Sequence, residues 1–202
     1  MSCNPYLCAA EKATLERAVV GIAGAGGLGS NCAMHLVRSG VRRLVIADFD
    51  TVVPGNLNRQ FFFADQVGEF KTEALAANLR RIRPDADLAV ATDTLTADNV
   101  VWHASGAHVI AEAVDSARTK AMVANVCMRD LPDVPLVTVS GLAGVGSVNT
   151  IVTERIAERL YVVGDLTSDV DAGLPLVSSR VMAAAAAQAH MVVRLLLGYV
   201  EP

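Results

Sequence analysis

Short apolar runs alternate along this chain with stretches whose apolar positions recur at helical spacing. Ala18-Val-Val-Gly-Ile-Ala23 has no polar side chain, as expected of a strand buried on both faces of a parallel sheet. Residues 27–39 follow with helical periodicity and stop at Gly40, a good left-handed terminator. Residues 43–48 read as the second strand. A long connection, 51–70, holds Pro54-Gly55 and predicts irregular structure. A loop of that length in a compact domain is usually functional. Residues 71–82 are helix-periodic and end before Arg83-Pro84, because the residue preceding a proline resists helix. The pattern then predicts a strand at 88–92, a short helix at 97–104 capped by Thr96, a strand at 108–114, a helix at 117–129 and a strand at 135–140. Residues 146–152 and 159–163 alternate as strands do. A Gly/Asp/Ser-rich stretch at 164–177 leads into a final helix at 179–197. Residues 1–17 read as a polar-to-amphipathic lead-in. Such alternation predicts an α/β fold: a Rossmann-like, doubly wound, mainly parallel sheet with helices on both faces.

Composition narrows the class. The 202 residues suit a single domain. Hydrophobic residues make up 52% and aromatic ones 4%, so the core is aliphatic and apolar surface is left over for a homo-oligomer. The net charge of -4 comes without a basic stripe, which argues against nucleic-acid binding. The four cysteines, at 3, 8, 32 and 127, form no CxxC pair, so no zinc site is expected. Cys32 and Cys127 fall on predicted helices and read as buried thiols. Few, scattered cysteines and the lack of a basic-then-apolar leader predict a cytoplasmic protein. Gln188, His190 and Arg194 break the apolar C-terminal stretch, so no membrane span is expected. His35, His103, His108 and His190 show no ligand spacing and read as core or surface residues.

The chemistry begins at Gly24-Ala-Gly-Gly-Leu-Gly29, directly between the first strand and the first long helix. That context marks a phosphate-binding turn. Gly24 permits the tight turn, Gly26 lets an anion approach the backbone, and Gly29 lets helix and strand pack closely. The helix dipole and free N–H groups face the anion. Asp48, ending the second strand in Asp48-Phe-Asp50, stands where a carboxylate meets ribose hydroxyls. In the long loop, Gly55-Asn-Leu-Asn-Arg-Gln60 offers the amides of Asn56 and Asn58 and the planar fork of Arg59. Lys71 opens the next helix, where its charge opposes the dipole, so a polyphosphate is the reason for it to be there. Asp115 ends an apolar strand and reads as a Mg²⁺ ligand or as a helix N-cap, a task Ser116 can also fill. Gln60 reads as structural, turning the loop. The domain then divides into a lead-in at 1–17, a nucleotide-binding core at 18–163 and a crossover loop with C-terminal helix at 164–202.

The order Gly-Ala-Gly-Gly-Leu-Gly, Asp-Phe-Asp, Asn-Leu-Asn-Arg-Gln, Gly-x-x-Lys and strand-Asp resembles the adenylating domain of ubiquitin-activating-like enzymes. Its bacterial members adenylate sulfur carrier proteins of thiamine and molybdopterin synthesis. The short length and the closing Arg180-Val-Met helix look most like the short ThiF-type branch. The resemblance implies that ATP and Mg²⁺ bind at the glycine turn. A small ubiquitin-like carrier ending in Gly-Gly then receives AMP on its terminal carboxylate, and pyrophosphate leaves. It implies that Gly24, Gly26, Gly27 and Gly29 form the nucleotide turn and that Asp48 holds the ribose. Asn56, Arg59 and Lys71 would hold the triphosphate, and Asp115 the Mg²⁺, with Arg59, Lys71 and Asp115 as the catalytic set. It also implies a homodimer.

This chain departs from its relatives in three ways. Residues 1–16 contain no arginine, where relatives carry one that reaches a partner's site. The paired CxxC zinc motifs are missing, and residues 128–202 contain no cysteine for thioester or acyl-disulfide chemistry. The competing readings are the same adenylation on a molybdopterin-type carrier, an NAD-dependent Rossmann oxidoreductase, and a binding module that keeps the fold without catalysis. No separate substrate domain and no His, Lys or Tyr catalytic set supports the oxidoreductase.

Overall fold

The computed structural model describes residues 6–202, so Cys3 and the start of the lead-in lie outside the described residues. Its strands are β1 (Val19–Ala23), β2 (Arg43–Ala47), β3 (Asp87–Ala91), β4 (Val109–Glu112), β5 (Leu136–Val139), β6 (Val152–Ala157) and β7 (Leu160–Gly164). They form one sheet in the order β3-β2-β1-β4-β5-β7-β6. Every pairing is parallel except the β6–β7 hairpin at one edge. The chain winds outward from β1 to β3 and then returns to β4 on the other side of β1. That reversal makes a crevice beyond the carboxyl ends of β1 and β4, where open α/β sheets bind ligands.

The helices are α1 (Ala9–Arg17), α2 (Gly27–Ser39), α3 (Lys71–Ile82), α4 (Val100–Ala104), α5 (Ala117–Asp130) and α6 (Ser178–Leu196). They cover both faces of the sheet. On one, Leu36 of α2, Leu75 and Leu79 of α3 and Met191 of α6 pack on Val20, Ile22, Leu44 and Ile46. On the other, Val100 and Ala104 of α4 pack with Val123, Val126 and Cys127 of α5 against Ile110 and Leu136. Each fully buried leucine of this kind contributes about 1.5–3 kcal/mol. Ala184, Ala185 and Ala189 are buried and let α6 lie close against its neighbours. The aliphatic core predicted from composition is therefore split by the sheet into two layers.

The largest differences from the sequence pattern fall in three places. The lead-in contains α1, whose one buried residue is Leu15, too weak a periodicity to announce a helix. The Cys8 thiol accepts the Glu11 N–H, and the Glu11 carboxylate accepts the Cys8 N–H. Arg83 then anchors α1: it is 2% exposed and donates to Glu16 Oε1 at 2.5 Å, to Asp85 and to the Gly40 carbonyl. The expected helix at 97–104 begins only at Val100, because Asn99 caps a turn by accepting Thr96 N–H and donating to the Thr94 carbonyl. The strand expected at 146–152 is instead a single helical turn, Val148–Thr150, capped by Ser147, and β6 starts at Val152.

Candidate functional site

The glycine turn sits at the crevice. Gly24 has φ +96°, and a Cβ there would meet the Ala113 carbonyl oxygen at 2.9 Å. A Cβ on Gly29 would overlap the Gly24 carbonyl oxygen, so the α2 backbone touches the end of β1 with no room for a side chain. A Cβ on Gly26 would meet only Gln60 Nε2, at 3.8 Å. Three glycines thus meet three different demands: a left-handed turn, an open approach and close packing. The first N–H groups of α2 have no partner inside the helix, and Gly26, Gly27 and Leu28 line the cleft. Asp48 staples the turn to β2: its Oδ2 accepts Ala25 N–H at 2.5 Å and its Oδ1 accepts Asp50 N–H at 2.8 Å. Burial raises the Asp48 carboxyl above its ordinary value, outweighing those two N–H bonds and the Lys71 charge.

The long loop folds back over α2. Asn31 Nδ2 donates to the carbonyls of Gly27 and Arg59, while Ser30 Oγ donates to the Gly26 carbonyl and accepts Phe61 N–H. The ends of the loop are tied by Lys71 N–H donating to the Asp50 carbonyl. Lys71 stands at the first position of α3 and is 6% exposed. Its Nζ lies 2.6 Å from Asp50 Oδ2, and both residues line the cleft. Arg59 lines it too, with Nη1 donating to Asn58 Oδ1 and the Gly55 carbonyl. Gln60 is buried in the cleft wall with its Oε1 unpartnered. Asn56 does not join them. Its Oδ1 accepts Val53 N–H beside the turn Pro54–Asn56, which fixes the direction of its amide. Gly29 likewise serves packing beneath the cleft.

On the far wall, Asp115 follows β4 and is exposed. Ser116 takes the N-cap of α5, its Oγ accepting Thr119 N–H at 3.4 Å, which leaves the Asp115 carboxylate out of the cap. Glu112, hidden in an apolar run and passed over in the sequence, is wholly buried behind it. The wall continues through residues 93–95, 140–143 and 168–170. Arg180, buried on α6, holds these loops: it donates to the carbonyls of Gly146 and Ser147 and to Asp165 Oδ2 at 2.5 Å. Nothing in the local sequence connects positions 15 residues apart across a turn-rich stretch.

Burial alone would raise the Asp165 carboxyl, but the N–H groups of Ser168 and Thr167 and the Arg180 guanidinium outweigh it and hold it well below the usual range. A carboxyl lowered by folding stabilises the native state above its unfolded pKa of about 4, and that stability fades as pH falls toward the folded value. Asp165→Asn is expected to flatten the loss of stability below about pH 4, measured by urea unfolding between pH 3 and 7. An unchanged acid slope in the variant contradicts this.

Together these walls enclose a cleft of about 620 Å³, a size suited to a small-molecule ligand. Open glycine backbone, the cations of Arg59, Lys71 and Lys120 and the exposed carboxylate of Asp115 fit a polyphosphate with a divalent ion. Among the described residues no group of three His, Cys, Asp or Glu is placed to hold a metal. A phosphate-bound Mg²⁺ needs only one or two protein carboxylates. Cys32 and Cys127 are buried as read from the sequence, and burial pushes their thiols up to about 12 and about 11. Among the described residues no helix is long and apolar enough to cross a membrane.

The ThiF family model matches residues 4–202. The tRNA threonylcarbamoyladenosine dehydratase of Escherichia coli (strain K12) is 38% identical over 125 residues, 61% of this chain and 46% of that protein. Adenylyltransferase and sulfurtransferase MOCS3 of Mus musculus is 35% identical over 129 residues, 63% of this chain and 28% of that protein. The matched stretches thus span less than half the length of these curated relatives. Among solved structures, the E. coli tRNA N6-threonylcarbamoyladenosine dehydratase in complex with ATP superposes with a TM-score of 0.85 at 24% identity, covering 94% of this chain and 89% of that one. At that identity the likeness is one of fold.

Proposed function

This chain belongs to the ThiF family, and from that premise we propose that it is an ATP-dependent adenylyltransferase acting on the C-terminal glycine carboxylate of a small ubiquitin-like carrier. A carboxylate oxygen attacks the α-phosphorus of ATP, the bond to the β-phosphate breaks, and pyrophosphate leaves with the electron pair. No protein nucleophile is needed; alignment and charge neutralisation suffice. The observation that carries this reading is that Gly26, Gly27, Asp48, Arg59, Lys71 and Asp115, drawn from five separate segments, line one cleft.

The residues take their roles from their positions. The α2 N-terminus and its glycine backbone face the phosphates. Asp48, at the end of β2, lies on the ribose side. Arg59 and Lys71 bring positive charge from the long loop and α3, and they stabilise the charge that builds on the departing pyrophosphate. Asp115 would hold Mg²⁺ together with phosphate oxygens, and the ion would neutralise polyphosphate charge. A thiamine-type carrier and a molybdopterin-type carrier are the two substrates to test, and binding to each separates them. A tRNA substrate, of the kind named for the dehydratase relative, sits poorly with a net charge of -4.

Incubation with ATP, Mg²⁺ and a Gly-Gly-ended carrier should yield the carrier-bound AMP adduct by intact-mass spectrometry. A protein that binds ATP yet forms no adduct with either carrier contradicts the proposal. Asp115→Asn should weaken Mg²⁺ dependence at least tenfold, or about 1.4 kcal/mol, with ATP binding in the absence of metal retained. Unchanged Mg²⁺ dependence would remove Asp115 from the site.

A further inference from the structure

Glu112 ends β4 three residues before Asp115 and is 0% exposed. Its carboxylate serves two sides at once. Oε1 accepts Val114 N–H at 2.8 Å, within the turn that leads to Asp115. Oε2 accepts from Lys120 Nζ at 2.6 Å and from Thr138 Oγ1. The main chain of the same residue is held as well, since Gln188 Nε2 of α6 donates to its carbonyl. A single side chain therefore joins the β4–α5 turn, the first half of α5 and β5.

That turn also touches the phosphate side. Ala113 N–H donates to the Ala23 carbonyl at 2.8 Å, and the Ala113 carbonyl is the atom that forbids a side chain on Gly24. Lys120 lines the same cleft as Asp115, with a quarter of its side chain exposed. Without Glu112 its ammonium has no buried anion to draw it back, and it becomes a mobile cation beside a site that must accept a divalent one.

We propose that Glu112 is a positioning residue for the divalent-metal side of the cleft: it fixes the turn that carries Asp115 and holds Lys120 against the wall. The inference rests on the adenylating function proposed above. Carboxylates that orient a metal ligand from behind, without touching the ion, typically change metal affinity 10–100-fold when replaced.

Glu112→Gln keeps the length and an oxygen for Val114 N–H but removes the charge that holds Lys120. Mn²⁺ binding is titrated by electron paramagnetic resonance with a non-hydrolysable ATP analogue present, and analogue binding is measured separately without metal. Mn²⁺ affinity should fall about tenfold, while metal-free analogue affinity stays within about twofold, well below the tenfold that 1.4 kcal/mol represents. Glu112→Asp is measured alongside, because it keeps the charge and the fold but is too short to reach both Val114 and Thr138. It should weaken Mn²⁺ several-fold. Wild-type Mn²⁺ affinity in either folded variant overturns the positioning role and reduces Glu112 to a buried structural ion pair. If the wild-type protein itself binds no Mn²⁺–nucleotide, the adenylating function falls first and this inference with it.

Discussion

Lys71→Met is expected to lower carrier adenylation by about 10²–10³-fold, the usual effect of deleting one preorganised charge from a transition-state site. The protein should stay folded. Lys71 is buried, but its partner Asp50 keeps 44% of its side-chain exposure, so water can take over the carboxylate when the ammonium is gone. The loss arises from both halves of the pair. The cation proposed to meet the triphosphate disappears, and Asp50, which lines the same cleft, is left as an uncompensated anion facing it. Lys71→Met/Asp50→Asn separates the two. It should recover ATP binding relative to the single variant but not turnover. Steady-state kinetics with ATP titrations read both quantities. Wild-type turnover in folded Lys71→Met would make the ion pair a stitch for the loop and nothing more.

Gly29→Ala should cost about 3 kcal/mol of stability, the upper range for forcing atoms into a packed site. In a chain of this size that is a fall in Tm of about 10 °C. The added Cβ overlaps the Gly24 carbonyl oxygen and lies 3.3 Å from the Ala113 Cβ. Backbone cannot yield as a flexible side chain does, so α2 must lift from β1 and carry the phosphate turn with it. ATP binding should fall below detection by calorimetry. Gly55→Ala is the control, because a Cβ there meets nothing within 4 Å. Equal Tm values for the two variants would contradict the packing described for the turn.

The nucleotide half of the fold was legible because its demands are local. The run from Val19 to Ala23 needs apolar residues, the turn needs glycines at fixed spacing, and Gly40 ends α2 with φ +113° and its N–H donating to the Val37 carbonyl. Each is a property of a few consecutive residues. Lys71 could be singled out for the same reason, as a cation at the wrong end of a helix. Glu112 and the Arg180–Asp165 pair escaped because their meaning lies in partners far along the chain. A buried glutamate in an apolar strand looks like a strand residue until Lys120 and Thr138 are seen against it. The motif does not show that the Asn56 amide oxygen is taken up locally by a turn. The hairpin strand β6 was displaced because it is an edge strand exposed along most of its length, with little alternation to mark where it starts.

The central claim is that this cleft joins AMP to a carboxyl-terminal glycine, and ATP–pyrophosphate exchange in the presence of Mg²⁺ tests it most directly. Exchange that depends on a carrier ending in Gly-Gly, and that vanishes when the terminal glycine is removed, is the predicted result, because only a reversible acyl-adenylate returns pyrophosphate to ATP. No exchange with thiamine-type or molybdopterin-type carriers, from folded protein that binds ATP, would contradict it.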